Sequence, residues 1–356
     1  MLKIFITKRL DKVTDSILLQ LMTSNEEFIG GLFQKIKTDK FKNLVEFVQS
    51  PEKADYFLMP HNYFSVWKNK NYLNHNENFA KKYNKKIIIF AYGDRNSEVK
   101  IKNSIVLRTS QYKSQLRKNE IIIPPFVEDL GIVNGIVIKD FDKNRKPSIG
   151  FAGWVSCSNV VQWIKYKAKI FIQFLLLQVK KIHSPVVYQG LHFRRKVITI
   201  LNHSDLLETK FFLRHSYSGH KKTIQDNPEK IRREFIFAIK DSDLALAVKG
   251  DGNYSLRFFE ILSLGRIPLF IDTDISLPLE DEIDYDAFVL RVDYEKIHDL
   301  PKIINRFWQR NTDQSFKEMQ TNARQAFKYR LSTEAFYTYL FNNFDDIVNN
   351  HERDIR

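Results

Sequence analysis

The residue types best suited to chemistry lie together in residues 248–260, which read VKGDGNYSLRFFE. Gly250 and Gly252 follow an apolar run, and a helical pattern follows them. Glycines let the backbone approach a ligand closely, and a helix start offers unpaired N–H groups and a positive dipole end. Arg257 and Glu260 are spaced i, i+3, so both can face the same side of this helix. The segment therefore predicts an anion-binding turn.

Arg257 and Glu260 suit the two halves of a nucleotide. A guanidinium donates two parallel hydrogen bonds to phosphate oxygens, and a carboxylate accepts from vicinal hydroxyls such as those of a ribose. Asn253 or Ser255 could cap the helix. The same spacing also fits an Arg–Glu pair on a solvated helix face, because a single Gly-x-Gly is a weak signal. The segment matches neither a Walker A loop nor a complete Gly-x-Gly-x-x-Gly fingerprint.

The elements that must position this turn alternate between short apolar runs and longer helical patterns, which predicts parallel α/β sheets. In the first half, strands are expected at 2–7, 54–59, 87–91, 105–109 and 121–123. Helical patterns are expected there at 16–22 and across 28–48. In the second half, strands are expected at 148–152, 210–213, 244–248, 267–271 and 288–292. Helices are expected there at 160–181, 192–201, 228–240 and 254–264, with Gly265 as the residue that ends the last, and across 300–349.

The length of 356 residues suggests two cores. The polar stretch 140–147 carries charges and a proline with little to bury, so it predicts a linker. We expect a first α/β domain over 1–140 and a second over 147–330. A C-terminal helix is expected over 331–356, packed back toward the N-terminal domain.

Beyond spacing, the stretch 250–262 with its continuation GRIPLF at 265–270 resembles the signature of exostosin-like glycosyltransferases. That signature is a glycine-containing turn, then Ser-x-Arg-Phe-x-Glu, then a step into an Ile-Pro-Val-type strand. Supporting pieces follow in family-like order at 54–60, 150–153, 233–234 and 277–278. The clear similarity covers roughly residues 145–340, and the N-terminal match is looser.

The resemblance implies a GT-B-like α/β fold, with two Rossmann-like domains facing a central cleft and C-terminal helices. It makes 1–140 the acceptor-side Rossmann-like domain and 147–330 the nucleotide-sugar-binding Rossmann-like domain. It also implies an inverting transfer from a nucleotide diphosphate sugar, UDP-linked, to a glycan or another hydroxyl acceptor. The nucleotide-sugar is a co-substrate, and neither a cofactor nor a metal is expected. By residue-to-residue match, Arg257 is expected at the diphosphate and Glu260 at the ribose. The donor site would comprise Gly250, Gly252, Asn253, Ser255, Arg257, Glu260 and Arg233.

Such a transfer needs a base for the acceptor hydroxyl. Asp94, at the end of the predicted strand 87–91, is the first candidate, although a helix cap or loop carboxylate fits the same position. Asp251, inside the glycine turn, is the alternative. Arg214 follows a predicted strand at the ligand edge of the second sheet and is a further candidate for the donor site.

Composition limits the compartment and partners. The 56 Lys and Arg against 42 Asp and Glu give a net charge of +14, which favours anionic partners. The lone Cys157 excludes an intrachain disulfide framework, and His61, His192, His203, His215 and His220 show no metal-ligand spacing, so no metal site is expected. The anchor and the many cysteines of animal members have no counterpart. A cytoplasmic location is therefore expected.

An anionic membrane surface is a further candidate partner. Residues 163–181 form a basic, aromatic helical pattern that fits either the inner face of a membrane or packing against the second sheet. The alternative function is a basic nucleic-acid- or membrane-binding protein without catalysis, and a donor-binding pseudoenzyme is a third reading. The lysines are spread along the chain and no nucleic-acid motif is present, so no nucleic acid is expected. We expect a role in polysaccharide biosynthesis.

Overall fold

Two parallel β-sheets, one from each half of the chain, organise the computed structural model. It describes residues 1–24, 28–30, 34–36, 38–156, 160–178, 190–216, 224 and 226–353. The strands are β1 Leu2–Ile6, β2 Phe28–Gly30, β3 Gln34–Ile36, β4 Val45–Phe47, β5 Tyr56–Leu58, β6 Ile87–Ala91, β7 Ser104–Arg108, β8 Glu120–Ile122, β9 Ser148–Trp154, β10 Glu208–Arg214, β11 Leu244–Ala247, β12 Ile267–Asp272 and β13 Leu290–Asp293. The helices are α1 Ile17–Thr23, α2 Tyr63–Val66, α3 Lys70–Lys82, α4 Leu130–Asn134, α5 Val160–Gln178, α6 Gly190–Asn202, α7 Pro228–Lys240, α8 Leu256–Ser263, α9 Leu300–Arg310, α10 Asp313–Ala326, α11 Thr333–Asn342 and α12 Phe344–Arg353.

The first sheet has the order β4-β1-β5-β6-β7-β8, and every pairing is parallel. β6 is a continuous apolar run buried along its whole length, as is typical of a parallel sheet. β7 is also buried throughout, and its terminal Arg108 pairs with the buried Glu120. The side chains of β6 alternate between two cores. Ile88 and Phe90 pack on the side of α1, whereas Ile87 and Ile89 pack on the side of α2 and α3.

The second sheet has the order β10-β9-β11-β12-β13, again wholly parallel. Leu244 and Leu246 of β11 pack in the core that includes α6 and α9, and Ala245 and Ala247 pack toward α8. The strand order reverses between β9 and β11. In open α/β sheets ligands bind at such a reversal, outside the carboxyl ends of the strands.

The C-terminal helices return to the first sheet. Phe336 and Tyr337 of α11 and Phe344 of α12 are buried in the same core as Ile88 and Phe90. A π-helical turn, Phe327–Leu331, joins α10 to α11. The chain therefore ends on the half from which it began. The predicted α/β class, with two parallel sheets and C-terminal helices, is confirmed.

The stretch 140–147 is packed, contrary to the expectation of a linker with little to bury. The Phe141 ring lies 4.3 Å from that of the buried Trp308, and the Trp308 indole N–H donates to the Arg145 carbonyl. Arg145 also forms a bidentate ion pair with the fully buried Asp243. A single aromatic residue and a single arginine in a polar stretch are thus enough to fasten it to the second core.

The helix expected across 28–48 is wrong. Among its described residues, β2 and β3 form an antiparallel hairpin, and β4 is the edge strand beside β1. Gly30 within the segment disfavours a helix, and Val45 suits a strand that pairs in register with Leu2. The strand at 87–91 and the helix at 228–240 are found unchanged, and the other predicted elements are found with boundaries shifted by a few residues. Gly265 ends α8 with φ of +63°.

Candidate functional site

The carboxyl edges of the two sheets meet at the glycine turn. The Gly252 N–H donates to Asp94 Oδ1 at 3.2 Å, and the Asn253 N–H donates to Ser110 Oγ at 2.9 Å. Asp94 follows β6 and Ser110 follows β7, whereas the turn follows β11. The fold thus brings Asp94 from the first half against residues 251–253 of the second, although some 158 residues separate Asp94 from Gly252.

Asn253 joins the two halves through its side chain. Its Nδ2 donates to the carbonyl oxygens of Gln111, at 3.2 Å, and Asp274, at 2.9 Å. Its Oδ1 accepts from Thr273 Oγ1 at 2.9 Å, and the residue is only 2% exposed. The amide of Asn253 is therefore engaged by the protein in this structure. It holds the turn in place and does not cap α8.

The two glycines of the turn have different surroundings. A Cβ on Gly252 would lie 2.7 Å from Asp94 Cα and 2.8 Å from Tyr254 Cε1. A Cβ on Gly250 would meet nothing closer than the Tyr254 carbonyl oxygen at 3.9 Å. Gly252 is therefore required for the close approach to Asp94, whereas the space around Gly250 is open.

Asp94 has the electrostatic setting of a tuned carboxylate. Burial raises the pKa of its carboxyl group, and the negative charge of Asp251 raises it further. Hydrogen bonds from the Gly252 N–H and the Tyr254 side chain oppose this by favouring the charged form. The two predicted base candidates thus lie close enough to influence each other.

Arg257 places its guanidinium at the carboxyl end of β9, where the strand order reverses. Its Nη2 donates to the Ala152 carbonyl, and its Cζ lies 4.2 Å from the centre of the Phe151 ring. Gly153 makes room for it, since a Cβ there would lie 2.8 Å from Arg257 Nη2. The absence of a side chain at Gly153 thus allows the Arg257 guanidinium to lie against the end of β9.

Glu260 lies one turn along α8 from Arg257. Burial raises the pKa of its carboxyl group, and the charges of Arg232 and Arg257 act in the opposite direction. Arg232 Nη1 lies 3.7 Å from Glu260 Oε1, and Arg232 Nη2 donates to Glu128 at 2.9 Å. Arg257 and Glu260 therefore belong to one charged cluster between α7 and α8.

Sequence reasoning selected Arg233 and missed its neighbour Arg232. The Arg233 side chain is 73% exposed and lies 3.8 Å from Glu229 on the outer surface of α7, outside the cluster. The sequence did contain a clue to Arg232. Phe235 lies three residues later on the same side of α7, and its half-buried ring marks the side that faces the core.

The remaining predicted residues lie at the end of β10, at the start of α8 and in the glycine turn. Arg214 ends β10 and donates to Glu234 at 2.6 Å. Ser255 occupies the N-cap position of α8, but its side chain makes no capping hydrogen bond. Its Oγ is buried without a hydrogen-bond partner in the part of the chain that the structure describes. Gly250, Gly252 and Asp251 form the turn itself.

Lys249 is a functional candidate that the sequence analysis did not identify. It immediately precedes Gly250, is 1% exposed, and has its Nζ 5.5 Å from the centres of both the Tyr112 and Phe193 rings. Burial lowers the pKa of its ammonium to about 7, although the negative charge of Asp251 acts to raise that pKa. In the sequence, Lys249 could have been selected because it lies directly between an apolar strand and the glycine turn.

No group of three His, Cys, Asp or Glu side chains is placed to hold a metal ion among the described residues. His61 is fully buried and accepts from the Leu10 N–H at 2.8 Å, so it acts in packing. Cys157 and His220 lie outside the described residues. Within those residues, no helix has both the length and the apolar character needed to cross a bilayer.

Comparison with protein families gives a match over most of the chain. The family model described as the Exostosin GT47 domain matches residues 1–307, which includes the first half, where the sequence signature is looser. No curated protein matches the sequence.

Solved glycosyltransferase structures resemble the chain only distantly. A glycosyltransferase from Rickettsia africae is 12% identical, with 89% of this chain and 87% of that chain covered and a TM-score of 0.36. Anabaena Alr3699/HepE, solved with UDP-glucose, is 10% identical, with 98% and 100% covered and a TM-score of 0.38. TarM is 12% identical with a TM-score of 0.34, and the match covers 78% of this chain but only 58% of TarM.

Proposed function

Since the chain belongs to the exostosin GT47 family and is a glycosyltransferase, we propose that it transfers a sugar from UDP, with inversion at the anomeric carbon, to a hydroxyl of a glycan. The observation that carries this proposal is the meeting of the two sheet edges at the glycine turn. Arg257 lies at the carboxyl end of β9 on one side, and Asp94 lies against Gly252 on the other. This arrangement supports a donor site around Arg257 and a base at Asp94 on the two sides of the same turn.

The donor would lie with its diphosphate toward Arg257 and its ribose toward Glu260. A guanidinium held at the strand-order reversal, near the start of α8, provides the charge and the N–H groups that a diphosphate requires. Lys249, directly before the turn, adds a cation whenever it is protonated. Arg232 beside Glu260 favours the carboxylate form, which is the form that accepts from two ribose hydroxyls. Arg214, which ends β10 and pairs with Glu234, is an outer candidate for the same donor site, whereas the exposed Arg233 is not.

Inversion requires a single displacement. The acceptor oxygen attacks the anomeric carbon, the bond from that carbon to the β-phosphate oxygen breaks, and UDP departs with the bonding electrons from the opposite face. The acceptor proton passes to a carboxylate, for which we propose Asp94 with Asp251 as the alternative. Arg257 and the N–H groups of the turn stabilise the charge that develops on the departing diphosphate.

We propose that this transfer needs no metal cofactor. The cations of Arg257 and Lys249 support the proposal, because they can neutralise a leaving diphosphate as a divalent ion would. If so, UDP release in EDTA should match that in Mg²⁺ or Mn²⁺. A rate that depends on added metal would contradict this part of the proposal.

The experiment that tests the function is a thermal-shift screen of the full chain against UDP-, GDP- and dTDP-sugars, followed by analysis of the product. We expect stabilisation by UDP-sugars and release of UDP when a glycan acceptor is added. Proton NMR of the new linkage should show the anomeric configuration opposite to that of the donor. Stabilisation by another nucleotide would reject the UDP assignment, and retained configuration would reject inversion. Binding without turnover over a broad acceptor panel would favour a pseudoenzyme.

A further inference from the structure

Helix α5 carries most of its large apolar side chains on the outside of the protein. Ordinary surface helices place such residues toward the core and polar ones toward solvent. Here the exposed fractions run from 46% to 72% for Val160, Trp163, Ile164, Phe171 and Ile172. A contiguous exposed apolar surface of this kind marks an interaction site more often than ordinary protein surface.

Among the side chains of α5 that the structure describes, a narrow stripe faces the rest of the chain. Tyr166, Ile170 and Gln173 are half-buried at spacings of i, i+4 and i+7, which is one side of a helix. Ile170 packs against the second core, and the Arg195 guanidinium of α6 lies 5.4 Å from the centre of the Tyr166 ring. These contacts attach the helix to the protein and leave the remaining faces available.

The charge on α5 is entirely positive. Three exposed lysines, Lys165, Lys167 and Lys169, lie between the apolar residues at 160–164 and those at 171–172. Residues 160–178 contain no Asp or Glu. The Lys167 ammonium lies 5.5 Å from the centre of the Trp163 ring, so basic and aromatic groups are interleaved. The surrounding chain is also basic, with a net charge of +14.

We propose that α5 is an interfacial helix that docks the protein on an anionic lipid bilayer. Exposed Trp, Phe and Ile side chains would enter the boundary between headgroups and acyl chains, and the lysines would reach the anionic headgroups. A protein partner fits less well, because lysine is depleted from the buried centres of protein interfaces. A bilayer accommodates lysines among apolar residues, since their long side chains extend to the phosphates.

The test is co-sedimentation of the full chain with phosphatidylcholine vesicles, with and without about one third phosphatidylglycerol. We expect binding to the anionic vesicles only, weakened by added salt. The double variant Phe171→Ser/Ile172→Ser should lower the partition coefficient by about tenfold or more, because two large apolar side chains no longer enter the interface. The triple variant Lys165→Gln/Lys167→Gln/Lys169→Gln should lower it by about tenfold or more through lost charge.

The matched control is Ile132→Ser/Val133→Ser on α4, where both side chains are also highly exposed, at 78% and 66%. It should bind vesicles like the unmodified chain. Far-UV circular dichroism and UDP-induced stabilisation should be unchanged in all three variants, since none touches the donor site. Recovery in the supernatant with anionic vesicles would overturn the proposal, as would equal binding by the Phe171→Ser/Ile172→Ser variant. A lipid-free dimer that this variant dissociates would overturn it in favour of a second copy of the chain.

Discussion

Gly250 and Gly252 stand two residues apart in one turn and should respond differently to the same substitution. Gly252→Ala places a methyl group 2.7 Å from Asp94 Cα, so either the turn or Asp94 must move. We expect a loss of about 1–3 kcal/mol in stability and of most transferase activity, because the donor turn and the base separate. Gly250→Ala, with open space around it, is the matched control. Equal activity of the two variants, measured as UDP release, would contradict this geometry.

The base assignment predicts a specific pH profile. Burial and Asp251 raise the pKa of Asp94, and only the carboxylate can accept a proton, so kcat/KM should fall as pH drops through this raised pKa. Asp94→Asn should reduce the rate by about 10²–10⁴-fold. Asp251→Asn removes a charge that raises the pKa of Asp94, so the acid limb should move to lower pH.

That second variant separates the two candidates. An Asp251→Asn variant that loses activity at every pH, beside an active Asp94→Asn variant, would make Asp251 the base.

The sequence could group the candidate site residues by their spacing, but it could not predict which side chains lie beside them in space. Arg257, Glu260 and the two glycines are adjacent along the chain, so a pattern could group them. Arg232 rather than Arg233 lies beside Glu260 because of the rotation of α7 on the sheet, and helical phase across a packed interface is not contained in a motif. Lys249 was missed because its burial depends on rings from Tyr112 and Phe193, which are distant in sequence.

At the scale of elements, the attachment of residues 140–147 depends on one buried carboxylate. Although burial disfavours its charge, hydrogen bonds from Arg145 and Ser148 hold the pKa of Asp243 below its usual value. Asp243→Asn should therefore cost about 3 kcal/mol, because Arg145 loses its ionic partner and the buried site loses its acceptor. Asp241→Asn, whose side chain is 43% exposed and pairs with Lys210, should cost about 1 kcal/mol or less.

The pH dependence of this contribution has a definite sign. A carboxyl group with a lowered pKa in the folded state stabilises the fold above its unfolded pKa, and that stability is lost as pH falls through the folded value. Thermal unfolding of the unmodified chain and Asp243→Asn should therefore converge in acid, below the ordinary range of an aspartate. A constant difference in melting temperature down to the most acidic condition would contradict the role of this ion pair.

Elements whose residue pattern fits a single type of secondary structure could be predicted from the sequence. The segment 28–48, whose pattern fits both a helix and a strand, could not. β6 is five apolar residues in a row, and α7 begins with proline at its first position, so both are defined by local chemistry. In 28–48, apolar residues recur at a spacing that also fits a helix, and the partner strand β1 decides the outcome for β4. Pairing with a strand some 40 residues away is a tertiary effect that no local pattern carries.

At the scale of the whole molecule, Asn253 fixes how the two halves meet. Its side chain contacts Gln111 of the first half and Thr273 and Asp274 of the second. Asn253→Ala removes these hydrogen bonds and leaves buried partners unsatisfied, at a cost of about 1–3 kcal/mol. We expect faster amide exchange in residues 109–114 and 272–276, with little change in the core strands β6 and β11. Unchanged exchange at both loops would show that other contacts hold the halves together.

The sequence could not have predicted this junction, because it joins residues more than 140 positions apart through an amide that resembled a helix cap. Net charge was equally uninformative about the site. Its value of +14 suggested polyanions, whereas the half-buried Arg257 and Arg232 belong to the cluster around Glu260 and the buried Lys249 lies against two aromatic rings.

The central claim is that Arg257, at the reversal between β9 and β11, binds the donor diphosphate. The most direct test is isothermal titration of UDP into the unmodified chain, Arg257→Lys and Arg257→Ala, with Arg233→Ala as the matched control from the exposed face of α7. We predict at least about tenfold weaker UDP binding for Arg257→Ala, partial loss for Arg257→Lys because the bidentate geometry is gone, and no change for Arg233→Ala. Unchanged UDP affinity in a folded Arg257→Ala variant would contradict the account.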